Sequence, residues 1–137
     1  MDFLQNFLVL LSRICICSIY LWAGWAKIAD WKGAIAYMES KNFPLIPLML
    51  PAAIILQIVG GLSLLLGIYC RLGAIILIIF TIPAMIKMHN FWHVDDNMRT
   101  LEKTLFMKDV AILGGLLAIS ILGAGIFSLD ALLILNT

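Results

Sequence analysis

The sequence predicts an all-α membrane protein: a bundle of four transmembrane helices with a short amphipathic helix at the interface between the first and second. Three observations carry this. Of 137 residues, 64% are hydrophobic and only 12% are charged, against roughly 25% charged in soluble domains. Mean hydropathy is +1.09. The apolar residues gather into four runs, 3–26, 48–69, 72–89 and 105–126, each close to the roughly 17–25 residues that a spanning helix needs. No room remains for a second folded unit, so residues 1–137 read as a single transmembrane domain.

In the first run only Asp2 is charged before Arg13. A secretory leader would need a basic start, so the run is expected to stay as a helix, although "AGWA" has the look of a cleavage site. Asn6, Arg13, Cys17, Tyr20, Gly24 and Lys27 recur at helical spacing and form one stripe that must face protein or water. Arg13 lies about 15 Å down from the start of the run at 1.5 Å per residue, which predicts a position near the midplane. An ionisable side chain there costs at least about 2.5–3.5 kcal/mol, which makes it a functional-site candidate. At that depth the sequence offers Gln57, Ser63, Thr81 and the Ile79 carbonyl freed by Pro83, but no carboxylate. The guanidinium is therefore expected either to pin helices together through neutral acceptors or to leave an opening for water or an anionic ligand.

Between the first two runs, Trp31, Ala34, Ile35 and Met38 fall on one helical face, with Lys32, Glu39 and Lys41 elsewhere. Asp30 is a suitable N-cap, Asn42 can take the left-handed turn that ends a helix, and Pro44 and Pro47 stop its continuation. The segment is expected to pack back on the bundle as a lid. The second and third runs are joined by little more than "YCRL", which makes them an antiparallel hairpin. Gly60 and Gly61 in the second run, with Gly114 and Gly115 in the fourth, are expected to let helices approach closely. Residues 90–104 read as a polar loop.

Where the third run ends and the fourth begins, Lys87, His89, Lys108 and Asp109 predict a second polar cluster, with Asp109 pairing with Lys87 or His89 and with Tyr37 and Lys27 close by. His89 and His93 share a helical face but supply only two ligands where zinc takes three or four, and Asp95 and Asp96 follow too closely to complete the set. No metal site is expected. Phe91 and Trp92 read as an interfacial aromatic belt. Cys15, Cys17 and Cys70 form no C-x-x-C pair and read as packing residues. The connections on one side carry Lys27, Lys32, Lys41, Lys87, Arg99, Lys103 and Lys108 and the other side only Arg71, so the basic side is expected in the cytoplasm and both termini in the periplasm.

The stretches "LWAGWAKIADWKGAIAYMESKNFP", "LQIVGGLSLLLGIYCRLGA", "FTIPAMIKMHNFW" and "LFMKDVAILGGLLAI", in that order and spacing, resemble the DoxX family of small bacterial membrane proteins over nearly the whole chain. The matching positions are Arg13, Gly24, Lys27, Asp30, Gly60, Gly61, Arg71, His89, Asn90, Phe91, Trp92 and Lys108. The resemblance implies a four-helix protein of the cytoplasmic membrane, associated with terminal-oxidase and quinone-linked complexes or with oxidative-stress systems. Two positions depart from the family pattern. Gln57 stands where a Glu is common, and Asp109 stands where an Asn follows the Lys at the start of the last helix.

The function expected is that of an accessory membrane component of a redox system. It would bind a quinone-like or anionic small molecule through Arg13, Tyr20, Lys27, Gln57, Lys87, His89 and Asp109. The alternatives are a non-catalytic assembly subunit and a small oligomeric transporter. Expected partners are the lipid bilayer and another membrane protein or further copies of the chain. The sequence has no nucleotide-binding loop, no covalent-nucleophile constellation and no basic patch for nucleic acid.

Overall fold

In a computed structural model, which describes residues 1–133, the chain forms α1 (Phe3–Ala29), α2 (Trp31–Ser40), α3 (Ile46–Leu66), α4 (Cys70–Met88), a 3₁₀ turn at Phe91–His93, α5 (Asp96–Leu122) and α6 (Leu129–Leu132). The four long helices are each apolar and long enough to cross a membrane. The end of the bundle that carries α2 and the 3₁₀ turn is here called the basic end, and the opposite end, where α3 turns into α4, the hairpin end.

The polar stripe foreseen on the first helix is its buried face: Asn6, Arg13, Cys17, Tyr20 and Gly24 are all buried. That face is the bundle's seam, because a helix in lipid turns its polar side chains toward protein. Cys17 and Tyr20 join Leu64, Cys70, Ala74, Leu77, Leu116 and Ile119 in the main core. Small residues set the helix spacing: a Cβ on Gly60 would meet Leu77 at 2.6 Å, one on Gly61 Leu21 at 2.8 Å, and one on Gly115 Ile16 at 2.6 Å. Gly114 differs from that expectation, since nothing lies within 4 Å of its would-be Cβ.

The Asp30 carboxylate caps α2 by accepting from the Gly33 N–H at 3.0 Å. Asn42 takes the left-handed conformation, φ 55°. Met38 packs with Leu50 and Ile54 of α3, supported by Ile35, Phe43 and Met88. The lid expected from the sequence therefore rests on the first half of α3 and the end of α4.

Two expectations are corrected. The polar stretch 90–104 is not a loop along its length, because α5 starts at Asp96 and runs as one helix to Leu122. Hydropathy detects only the part of a helix that sits in lipid, and residues 96–104 continue the same helix beyond it. Arg13 is likewise not at mid-depth. Its guanidinium meets the carbonyls of Leu64 and Leu65 in the last turn of α3, at the hairpin end. Counting down from the start of α1 misplaced it because the first turns of α1 project past the ends of α3 and α4. There they pack against the segment after α5: the Asn6 side chain accepts from the Ile126 N–H at 2.9 Å.

Candidate functional site

The polar residues divide into an outer clamp and an inner group. In the clamp, Nε of Arg13 donates to the Leu64 carbonyl at 2.8 Å, Nη2 to Leu65 at 3.0 Å, and Nη1 to Ala124 and Phe127, both at 2.8 Å. Arg13 is fully buried. The open side expected beside this guanidinium is closed by four main-chain carbonyls, which a helix C-terminus and an irregular segment leave available. Asp130, also fully buried, accepts from the N–H groups of Tyr69 and Cys70 at 2.7 and 3.1 Å, and its own N–H donates to the Gly67 carbonyl at 2.8 Å. A carboxylate thus caps the start of α4 in the vicinity of Arg13, at a level where the sequence suggested none. Gly67 makes the clamp possible: at φ +69° it suits the turn, and a Cβ there would lie 2.6 Å from Nη2 of Arg13.

The inner group lies between the middle of the bundle and the basic end. Gln57 is eleven residues into α3, roughly 16 Å from its start, and so near mid-depth. Lys27 reaches it from the last turn of α1, with Nζ donating to Oε1 of Gln57 at 2.8 Å and more weakly to the Ala23 carbonyl at 3.4 Å. Among the described residues no carboxylate comes within ion-pair distance of Lys27. An ammonium has three donors, and here two are engaged. One turn or more toward the core, the buried Tyr20 hydroxyl shares a 2.6 Å hydrogen bond with Thr81 of α4.

At the basic end a chain of ionisable side chains links three elements. Nζ of Lys41 lies 2.9 Å from Oε1 of Glu102, Oε2 of Glu102 lies 3.0 Å from Nδ1 of His89, and Nε2 of His89 lies 3.7 Å from Oδ2 of Asp109. Asp109 therefore takes His89, and not Lys87, which stays half-buried on α4 outside this chain. Asp109 and Glu102 are both within electrostatic reach of Tyr37 on the lid. Partial desolvation first, and then these two negative charges, push the half-exposed Tyr37 phenol above its ordinary value. The amide oxygen of Asn90, next to His89, is buried without a hydrogen-bond partner.

The structure thus brings Lys27 together with Gln57 and His89 together with Asp109. It pairs Tyr20 with Thr81 and sets Arg13 apart at the far end. Sequence reasoning missed Glu102, Lys41 and Asp130 as partners. Glu102 had a signal: it precedes Asp109 by seven residues and so shares its face of α5. His93, exposed on the 3₁₀ turn, stands outside the cluster, and among the described residues no group of three or more His, Cys, Asp or Glu is arranged to hold a metal.

A fully helical four-span bundle, a buried polar seam along α1 and an interfacial helix after it define a small multi-pass membrane protein, and the sequence profile of the DoxX family matches residues 8–90. The chain belongs to the DoxX family. It is similar to the inner membrane protein YqjF of Escherichia coli (strain K12), with 35% identity over 130 residues covering 95% of each chain. It is also similar to the inner membrane protein YphA of the same organism, with 28% identity covering 90% of this chain and 88% of that one. No solved structure matches the chain.

Proposed function

We propose that the inner group binds the polar head of a lipophilic, quinone-like or anionic small molecule, and that the protein serves as an accessory component of a membrane redox system. The observation that carries this reading is Lys27, an ammonium held near mid-depth by one neutral side chain and one carbonyl, with no acid beside it. Isolated charge in that position is costly and marks functional sites. A carbonyl or anionic oxygen would engage its remaining donor, and the donors present suit a quinone head. Lys27 could hold one carbonyl, and His89, braced by Glu102 and Asp109, lies on the water side of the same half. When bound, a quinone would supply electron-transfer chemistry. The chain's own residues bind and orient it, while the α2 lid shields it from water. The redox context rests on the family resemblance, and the orientation, with the basic end in the cytoplasm, on its excess of Lys and Arg.

The test is identification, by mass spectrometry, of small molecules retained after purification in mild detergent. Wild type should retain such a molecule, and the double variant Lys27→Met/Gln57→Leu should lose it. That variant removes both partners, so no orphaned polar group remains and folding is preserved. Equal retention in both, or none in wild type, overturns the reading. A second reading, an assembly subunit, draws support from α5, whose span is only 11% buried against 28–33% for the other three. Stable copurification with another membrane protein would favour it.

A further inference from the structure

The outer face of α5 carries a shallow, open groove lined by Arg99, Thr100, Lys103, Thr104 and Met107, all of that one helix. These residues lie on the side of α5 away from Glu102 and Asp109, which turn into the inner group. The groove therefore belongs to a different surface from the site above. It straddles a boundary in the sequence, since residues 96–104 are polar while the apolar part of the helix begins at Leu105. Lys103 is exposed, with its ammonium 5.9 Å from the Phe91 ring. Arg99 is half-exposed and already pairs with Asp96 at 2.8 Å, so Lys103 is the stronger of the two cations. The Thr104 hydroxyl donates to the Thr100 carbonyl at 2.8 Å, which leaves the Thr100 hydroxyl as the further donor beside the two cations.

Below the groove the same face continues with Ala111, Gly114 and Ala118, at +4, +3 and +4 from Met107 and all exposed. Gly114 has open space where its side chain would be. From Met107 to Ala118 the strip is roughly 16 Å long, about half of the ~30 Å hydrocarbon core. A shallow cationic and hydroxyl-bearing groove, continued by a smooth apolar channel one leaflet deep, matches a molecule with an anionic head and an acyl tail. We infer that this face of α5 is a binding site for an anionic phospholipid, its phosphate at Lys103 and Arg99 and one acyl chain along Ala111, Gly114 and Ala118. A second copy of the chain is a poorer occupant. Two parallel copies meeting on this face would set Lys103 against Lys103 and Arg99 against Arg99.

The experiment measures thermal unfolding of the full chain in a neutral detergent, titrated with phosphatidylglycerol, phosphatidylcholine or inorganic phosphate. Phosphatidylglycerol should stabilise selectively. Arg99→Gln/Lys103→Gln should weaken its apparent affinity by roughly fivefold for each charge removed, while Lys32→Gln, a charge removed from α2, should leave it unchanged. Gly114→Leu, which fills the channel, should also weaken it. Equal stabilisation by phosphatidylcholine, an effect reproduced by phosphate alone, or an undiminished effect in the double variant would overturn the assignment. So would a dimer in sedimentation that Gly114→Leu abolishes while the phosphatidylglycerol effect persists, since that would give the face to a second copy.

Discussion

Arg13 donates four hydrogen bonds, and every acceptor is a main-chain carbonyl. A planar guanidinium can serve acceptors from several directions at once, which a lysine ammonium on a flexible stem does not reproduce. Replacing Arg13 with Met leaves those carbonyls without a donor in a buried place. Bonds from charged donors are worth about 1.5–3 kcal/mol each but are not additive, so a loss of at least about 3 kcal/mol is expected, read as a lower unfolding temperature in detergent. Gly67→Ala tests the same point from the other side. A left-handed φ costs a side chain about 1–2 kcal/mol, and the added Cβ would press on Nη2 of Arg13. Unfolding midpoints of the two variants check both expectations. The sequence made Arg13 conspicuous but not its partners, because carbonyls carry no side-chain signature and their availability depends on where helices stop.

At the scale of elements, α2 is tied to the bundle in two ways. Met38 seats an apolar face on α3, and Lys41, just past the end of the helix, reaches Glu102 on α5. Both ends of that ion pair are largely buried, with 12% and 5% of the side chains exposed, so it is worth more than a surface pair. Glu102→Gln should leave the spanning helices intact while raising hydrogen exchange in α2 by roughly tenfold, the factor that corresponds to about 1.4 kcal/mol. Unchanged exchange would show that Met38 and its neighbours hold the lid unaided. Tyr37 predicts a pH dependence of definite sign. Its folded value lies above the ordinary value of about 10, so its contribution to stability is complete below that pH. It is lost as pH rises through the folded value, because the unfolded chain ionises first. Tyr37→Phe should flatten the alkaline limb of a stability profile. Both α2 and its cap were legible in the sequence, from Asp30, the Trp31, Ala34, Ile35, Met38 spacing and Asn42. The long polar start of α5 was not, since nothing apolar marked its period, and Glu102 was hidden with it.

At the scale of the whole molecule, the hairpin between α3 and α4 is gripped from both ends of the chain: by Arg13 of α1 and by Asp130 of α6. Truncation after Leu122 would remove the Ala124 and Phe127 carbonyls together with Asp130. It should destabilise the protein about as much as Arg13→Met, and the two changes combined should cost less than their sum, because they act on one network. Additive losses in unfolding midpoints would separate the clamp into independent parts. The four spans were readable from hydropathy because lipid demands continuous apolar helices. How the segment after α5 folds back was not, since its role rests on two buried polar residues far apart in sequence, Asn6 and Asp130, whose partners are backbone atoms.

The clamp also has a temporal side. Ribosomes deliver α1, and with it Arg13, first, and the Leu64 and Leu65 carbonyls later, while those of Ala124 and Phe127 emerge only after α5. A nascent chain arrested before residue 124 would hold the guanidinium with only the Leu64 and Leu65 carbonyls of its four acceptors in place, so the clamp closes only when the last segment has been made.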